Sequence, residues 1–426
     1  MSRTRSVALL CAFLTLLNDR IGESMVFPLL TFLVAPLVDT RHVGLVVGLL
    51  GGSYAAFQFL ATPVIGSLSD HFGRRPVLTL CIIGTALSVG LFGLGAVLGA
   101  SLTTGSGAFL DLALMFAGRS LHGVAGGTAA TAQAVIVDVT PPAKRAQALG
   151  LVGVAIGLGF IIGPGWGSWL MDVHLALPIA MAVAFALLNL LLTLWFFSET
   201  LPGSARQPSL GLGAFNPFWN MIQTLGNPRV GRLSVGFGLF FIVLYSCVTI
   251  LVPFVTLELS WQATDVGQAF ALLGMGSIAV QGLLLGPLSR WLGAQRLVPI
   301  GIGLMLLGCL MVSLARPDAT ALDAAMGKPL VNSAVVMWAM GVGLLVPSLR
   351  ALISQRLAAG SQGKAMGSVQ ALQSLGASVG PATAGILFSY LTPRAPFLIA
   401  VLILLLVGGL IIGPLVRQRQ LTSSPP

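Results

Sequence analysis

Twelve apolar stretches, separated by polar residues or by glycine and proline, occupy most of this 426-residue chain. Each is close to the roughly 20 residues that an α-helix needs to cross the hydrocarbon core of a bilayer. Hydrophobic residues make up 56% of the sequence and charged residues only 8%, whereas soluble domains carry about 25% charged residues. A soluble interior cannot bury that much apolar surface. The composition therefore excludes a soluble enzyme, a disordered protein and a nucleic-acid binder.

The polar breaks set approximate limits for twelve predicted transmembrane helices. These helices are 6–37, 43–68, 77–100, 109–137, 147–171, 177–197, 233–257, 265–289, 298–315, 330–355, 365–390 and 396–415. The start of the first one is similar to a signal peptide. However, Asn18-Asp19-Arg20 follows with no small-residue cleavage site, and apolar sequence then continues to Leu37. We therefore expect an uncleaved first helix.

The positive charges outside these helices are unevenly distributed. Twelve helices place both termini on one side of the membrane, and fifteen of the 22 Lys and Arg residues lie in loops on that side. Four lie in loops on the other side, and Arg20, Arg119 and Arg350 lie inside predicted helices. Because loops rich in Lys and Arg stay in the cytoplasm, we expect both termini to be cytoplasmic.

The two halves of the sequence repeat. The fifth and eleventh predicted helices share three glycines and a proline at a spacing of 217 residues. They are Gly150, Gly159, Gly163 and Pro164 in the fifth helix and Gly367, Gly376, Gly380 and Pro381 in the eleventh. A second set of residues recurs at a spacing of 220 residues around the ends of the second and eighth helices. It consists of Gly66, Leu68, Ser69 and Gly73 in the first half and Gly286, Leu288, Ser289 and Gly293 in the second. The sequence therefore predicts an all-α polytopic membrane protein with two pseudo-symmetric six-helix bundles, 1–197 and 233–426. A cytoplasmic linker, 198–232, would join them, and a short cytoplasmic tail would follow the second bundle.

The loop between the second and third predicted helices reads GSLSDHFGRRP over residues 66–76. It resembles the signature G-x-L-x-D-x-x-G-R-R/K of the major facilitator superfamily, and this resemblance implies the major facilitator fold. The matching residues, which we expect to form a conformational latch, are Gly66, Asp70, Gly73, Arg74 and Arg75. A carboxylate beside arginines can pair in one conformation and separate in another. The alternative is an ordinary positively charged cytoplasmic loop.

The fourth predicted helix carries Gly118-Arg119-Ser120-Leu121-His122-Gly123 followed by Val124-Ala125-Gly126. This segment resembles the family motif R-x-x-x-G-x-x-G, whose arginine is associated with proton transfer. A buried arginine in a membrane is costly unless it is partnered or hydrated. The alternative role for Arg119 is a structural ion pair.

The fifth predicted helix carries a glycine row that resembles the antiporter motif of drug:proton antiporters, G-x8-G-x3-G-P-x2-G-G. The matching residues are Gly150, Gly159, Gly163, Pro164 and Gly167, and Ser168 replaces the last glycine. The resemblance implies export by exchange. Small residues also let neighbouring helices approach closely, so packing alone is the alternative explanation.

Two carboxylates, Asp19 and Glu23, lie four residues apart on one face of the first helix. Their distance from its start places them near the middle of the membrane, where carboxylates are costly unless they are functional. We therefore expect Asp19 and Glu23 to exchange protons for substrate, with Arg20 and Arg119 modulating them. The alternative is a static network in which the arginines fix the first and fourth helices.

Polar and aromatic side chains within the predicted helices are candidates for a substrate cavity, although each is equally suited to packing or to facing lipid. They are Tyr54, Gln58, Gln133, Tyr245, Gln281, Trp338, Gln370 and Gln373. Two of the three intramembrane arginines should lie near Asp19 and Glu23, which would cancel much of their field. We therefore expect a lipophilic or amphiphilic substrate that is neutral or weakly cationic.

The sequence contains no pattern for a cofactor, a metal site or a phosphate-binding loop, and its four cysteines are isolated in apolar runs. An ion gradient must then supply the energy. The resemblance implies a twelve-span drug:proton antiporter, similar to the tetracycline exporters, in a bacterial inner membrane. Its expected partners are a small-molecule substrate, protons and lipids, with no nucleic acid, and we expect a monomer. A metabolite or sugar-type symporter or facilitator is the alternative, and a transporter-like receptor or scaffold is a weaker one.

Overall fold

The computed structural model describes residues 3–101, 106–141, 145–206, 217–228, 230–316, 321–356 and 362–423. All regular secondary structure in these ranges is helical. Eight of the described helices are long and apolar enough to cross a membrane, as judged by length and composition. Four more long helical segments occupy the remaining predicted spans. The prediction of an all-α, twelve-helix membrane fold is therefore confirmed.

The chain divides into two compact units, and the first contains Met1–Asn216 and Gln262–Ala271. Its six long helices are α1 Arg3–Val26, α2 Thr40–Phe72, α3 Arg74–Ser101, α4 Ser106–Ala125 with its continuation Thr128–Val139, α5 Arg145–Val173 and α6 Leu177–Phe196. α1 gives way to a 3-10 turn, Phe27–Leu29, where Pro28 cannot donate a backbone hydrogen bond.

Helix α1 packs against α4, α5 and α6 of the first unit. Around it, α2 packs on α4, and α3 packs on both α4 and α6. Buried apolar residues of α1, α3 and α4 form a common core that includes Leu16, Ile82 and Val135. This packing fixes the polar residues of α1 against three neighbouring helices.

The second unit contains Pro217–Trp261 and Leu272–Pro426. It begins with a short helix, Pro217–Leu225, which we call the linker helix. The long helices that follow in the chain are α7 Gly231–Leu257, α8 Ala263–Leu292, α9 Ala294–Leu314, α10 Ala321–Gln355, α11 Gln362–Tyr390 and α12 Ala395–Ser423. The first nine residues of α8 belong to the first unit, and its segment Val280–Leu284 is a π-helix.

The helix pairs of the second unit match those of the first. α7 packs on α11 and α12, and α9 packs on α10 and α12. The corresponding pairs in the first unit are α1 with α5 and α6, and α3 with α4 and α6. The turns also correspond, because α2 ends at Gly73 with φ +107° and α8 ends at Gly293 with φ +74°. Positive φ angles favour glycine, which explains why this residue recurs at both turns.

Candidate functional site

The two carboxylates of α1 share one arginine. The Arg20 Nη2 atom donates a hydrogen bond of 2.8 Å to Asp19 Oδ2, and Arg20 Nη1 forms an ion pair with Glu23 Oε2. Asp19 is buried, with 9% of its surface exposed. Three charged residues within five positions of one helix thus form a single network inside the first unit. This arrangement serves a static network and a proton-exchange site equally well.

Arg119 lies apart from these ion pairs. No carboxylate oxygen among the described residues is within 4 Å of its guanidinium nitrogens. Its guanidinium carbon instead lies 4.6 Å from the centre of the Tyr54 ring, an arrangement that favours a cation–π interaction. The Tyr54 ring also packs against His122, whose ring lies edge-on at 5.1 Å. Arg119 is 3% exposed, and therefore it carries a buried charge that lies against an aromatic face.

A small cavity lies in the first unit where α1, α3, α4 and α6 meet. Its polar lining residues are Asn18, Asp19, Glu23, Thr85, His122 and Asn189. The space open to the centre of a water molecule is about 10 Å³, which is room for roughly one ordered water. Within the described ranges, Thr85 Oγ1 and Asn189 Oδ1 are buried and have no hydrogen-bond partner. The cavity can therefore accommodate a polar molecule beside both carboxylates.

The glycine row of α5 contacts the same part of α1. A methyl group at Gly159 would lie 2.7 Å from Arg20 Cβ, and one at Gly167 would lie 2.8 Å from the carbonyl oxygen of Met25. The hydroxyl of Ser24 donates a 2.7 Å hydrogen bond to the carbonyl oxygen of Gly159. These contacts require glycine, because any larger side chain would displace the segment of α1 that carries the charged network.

The second unit repeats this close approach between α7 and α11. A methyl group at Gly376 would lie 2.8 Å from Phe241 Cβ, and the hydroxyl of Ser246 donates a 2.8 Å hydrogen bond to the carbonyl oxygen of Gly380. The remaining motif residues of α5 are Gly150, near its start, and Gly163 and Pro164, which are buried within the helix. The glycine rows thus form a structural feature of both units, and the charged network belongs to the first one.

The motif between α2 and α3 forms a compact charged cluster. Arg74 forms an ion pair of 2.6 Å with Asp70 and donates hydrogen bonds of 2.9 Å to Asp138 and 2.7 Å to the hydroxyl of Ser69. Asp138 lies in the last turn of α4, so Arg74 joins three helices. The exposed Arg75 donates instead to the carbonyl oxygen of Leu194.

The two glycines of this motif, Gly66 and Gly73, have different roles. Gly73 occupies the positive-φ position, whereas a methyl group at Gly66 would meet no atom within 4 Å. Gly66 accepts a 2.8 Å hydrogen bond from the hydroxyl of Ser69, which lies beside Arg74. The structure therefore gives a steric reason for glycine at residue 73 and none at residue 66.

Glu199, which follows α6, caps the start of α3. Its carboxylate accepts backbone hydrogen bonds from Arg74 and Arg75, and from Thr200 and Leu201 beside it, over 2.9–3.2 Å. Burial by itself would raise the pKa of Glu199. The four hydrogen bonds lower the pKa by more than burial raises it, so it lies below its usual value. The positive end of the α3 dipole also favours an anion here. Sequence patterns gave no indication of Glu199, Asp138 or Asn189, because each lies beside residues that are distant in the sequence.

Two of the three predicted cavity residues of the first unit, Tyr54 and Gln58, are in contact. Gln58 donates a 3.1 Å hydrogen bond to the hydroxyl of Tyr54, and its amide lies near the carbonyl oxygen of Gly126. Gln133 is half-buried in the second segment of α4. Tyr54 and Gln58 thus form a polar cluster with Arg119, beside the charged network but without a direct ion pair to it.

The predicted cavity residues of the second unit occupy four different environments. Trp338 is 0% exposed and stacks on Phe397, so it packs in the core. Gln281 is exposed in the π-helical segment, and the half-buried Tyr245 packs against Phe241. The last two residues, which accept hydrogen bonds from Arg350, are Gln370 and Gln373.

Comparison with known proteins agrees with this architecture. A sequence profile of the Major Facilitator Superfamily matches residues 8–380. The tetracycline resistance protein, class C, of Escherichia coli is 29% identical over 374 residues, with 88% of each chain covered. The human major facilitator superfamily domain-containing protein 10 is 27% identical over 358 residues, with 79% of this chain and 72% of the relative covered.

Solved structures show the same fold. The crystal structure of the human organic anion transporter MFSD10 has a TM-score of 0.69 at 23% identity, covering 96% of this chain and 99% of that one. A bacterial homologue of ferroportin has a TM-score of 0.73 at 12% identity, covering 97% and 98%. A profile match over most of the sequence and a shared fold identify an integral membrane transporter rather than an enzyme. The chain belongs to the major facilitator superfamily.

Proposed function

We propose that this protein is a proton-coupled exporter that exchanges protons for lipophilic or amphiphilic small molecules by alternating access. The observation that carries the proposal is the network of Asp19, Arg20 and Glu23, which borders a polar cavity inside the first unit. A carboxylate in a membrane can couple to a proton gradient when its charge changes with its surroundings. The curated relatives named as tetracycline resistance proteins support drug export as the direction of transport.

Arg20 and Arg119 would have different roles in this mechanism. Arg20 pairs with both carboxylates, so protonation of either one weakens that ion pair and leaves the guanidinium to the other carboxylate. Arg119 lies on the Tyr54 ring and is available to compensate a carboxylate that has lost Arg20 as a partner. The proposed proton cycle therefore exchanges partners among buried groups and leaves no charge isolated.

The glycine row of α5 would transmit this cycle to the helices. Gly159, Gly163 and Gly167 lie against α1 between Arg20 and Met25. A change of charge on Glu23 can alter the position of α1 only if α5 allows the two helices to slide. Contacts between backbones without intervening side chains permit such movement.

The cluster around Arg74 would act as the latch between conformations. Its ion pairs with Asp70 and Asp138 hold the ends of α2, α3 and α4 together. Breaking them would favour a state in which these ends separate. The effect of the latch is then on the populations of two states rather than on substrate affinity.

We place the protein in a bacterial cytoplasmic membrane as a monomer, with both termini in the cytoplasm. The uneven distribution of Lys and Arg residues supports this orientation. A metabolite or sugar-type symporter or facilitator remains the alternative, and the glycine row of α5 argues against it.

Transport into inside-out vesicles, with tetracycline and ethidium as substrates under an imposed pH gradient, tests the proposal. The variants Asp19→Asn and Glu23→Gln should lower proton-driven transport by at least about 100-fold, because a neutral amide cannot exchange a proton. Asp39→Asn is the matched control, since the Asp39 side chain is 90% exposed. Wild-type rates and pH dependence in both single variants and in the double variant would refute the proton site.

A further inference from the structure

Arg350 is a charged residue of the second unit that has no carboxylate partner in the part of the chain that the structure describes. It lies in α10, five residues before the last residue, Gln355. Its Nη2 atom donates hydrogen bonds of 2.6 Å to Gln373 Oε1 and 3.1 Å to Gln370 Oε1, both in α11. Among the described residues, no acidic side chain is within 4 Å of its guanidinium nitrogens. The two amides orient the guanidinium but do not neutralise its charge.

The cluster is open on one side. Gln370 is exposed, whereas Phe237, whose ring centre lies 5.7 Å from the guanidinium carbon, is fully buried. Arg350 is therefore supported from the protein side by an aromatic face and by amides. Because exposure of a guanidinium to lipid chains is costly, the open side should face water or a ligand.

The guanidinium also retains donors for a ligand. Both hydrogen bonds to Gln370 and Gln373 come from Nη2. Within the described part of the chain, Arg350 Nη1 and Nε have no protein acceptor. The Nε–H lies on the Nη2 side of the planar group, away from Nη1. Nη1 and Nε therefore each offer a separate donor to an anionic oxygen, such as that of a carboxylate.

We propose that Arg350, oriented by Gln370 and Gln373, recognises a carboxylate group on an amphiphilic substrate. The inference rests on the proposed function, since it assigns a substrate class to the same transporter. It also revises the expectation of neutral or weakly cationic substrates. That expectation assigned acidic neighbours to two of the three intramembrane arginines, and no acidic side chain among the described residues contacts the third, Arg350.

A pair of dyes that differ only in this group provides the test. Rhodamine 110 carries a free carboxylate, and rhodamine 123 is its methyl ester. Binding of each dye to the purified full-length protein is measured by fluorescence anisotropy, separately from transport. Arg350→Gln should weaken the binding of rhodamine 110 roughly 10- to 100-fold, as expected for a hydrogen bond to a charged group, and leave rhodamine 123 unchanged.

Two further variants distinguish recognition from general electrostatics. Arg350→Lys keeps the charge but loses the fixed, planar arrangement of donors, so it should bind rhodamine 110 with intermediate affinity. Arg356→Gln removes a positive charge just beyond the end of α10, and it should leave the binding of both dyes unchanged. Retained binding of rhodamine 123 shows that each variant is folded.

The subsite is wrong if Arg350→Gln binds rhodamine 110 as tightly as the wild type does. It is also wrong if the variant loses affinity for both dyes equally, because Arg350 would then serve the fold or a lipid headgroup. Failure of the proposed function would be seen in the transport assay. Proton-driven transport would then be absent, while the difference in dye binding between wild type and Arg350→Gln would persist.

Discussion

Replacing Gly163 with alanine tests the close contact between α1 and α5. The added methyl group would lie 2.8 Å from the carbonyl oxygen of Ile21 and 2.9 Å from the backbone nitrogen of Met25. It would also meet the hydroxyl of Ser24, which donates its hydrogen bond to Gly159. Since ordinary contacts begin near 3.4 Å, the two helices must separate by about 0.6 Å, the difference between 3.4 and 2.8 Å.

The cost of this separation has two parts. Overpacking of a tight contact costs about 1–3 kcal/mol, and loss of the hydrogen bond from Ser24 costs about 0.5–1.5 kcal/mol. The higher helix propensity of alanine offsets about 1 kcal/mol. We therefore expect Gly163→Ala to destabilise the first unit by about 0.5–3.5 kcal/mol. Export should fall as well, because α1 carries Asp19 and Glu23.

Gly165→Ala is the matched control, because a methyl group at Gly165 would meet no atom within 4 Å. It lies on the same helix, two residues away, and should melt at the wild-type temperature or slightly above it. Thermal unfolding in detergent and vesicle transport compare the two variants. If Gly163→Ala melts and transports like Gly165→Ala, then α1 and α5 are not in the close contact described.

The remaining predictions concern the charged cluster and the orientation of the chain. Because the pKa of Glu199 is lowered in the folded protein, its stabilising contribution is present above the unfolded pKa, about 4.3, and is lost as the pH falls through the folded value. The melting temperature of the wild type should therefore fall more steeply with acidification than that of Glu199→Gln. Arg74→Ala and Asp138→Asn should slow transport with little loss of substrate affinity, and a large change in affinity without altered cysteine accessibility would contradict the latch. Reporters fused after Pro202 and Pro426 should both give a cytoplasmic signal, and a periplasmic signal at either site would reject the proposed orientation.

Features that depend on neighbours in the sequence could be predicted well. The length of each apolar stretch predicted the twelve helices, because crossing a bilayer requires a fixed number of residues. Glycine at residues 73 and 293 follows from the positive φ angle at each turn, which is a local property. The repeat likewise predicted matching helix pairs in the two halves. None of these inferences depends on which faces of the helices are in contact.

The identities of the contacting side chains could not be predicted in this way. The sequence indicated that Arg20 and Arg119 lie near the carboxylates of α1. Only the structure showed that Arg20 pairs with both carboxylates while Arg119 lies on Tyr54. The core position of Trp338 was equally unpredictable. In a soluble helix the apolar stripe indicates the buried face, but a helix in lipid is apolar on every side.

The sequence alone therefore determined the number of helices, the repeat and the family, since these follow from composition, spacing and motifs along the chain. The tertiary structure alone decided that Glu199 caps α3 and that the glycines of α5 contact α1 beside its charged residues. It also decided that Arg350 has amide partners and, among the described residues, no acidic one. These contacts join residues that are distant along the chain. They depend on how each helix is rotated and where it crosses its neighbours, and packing of the whole unit sets both.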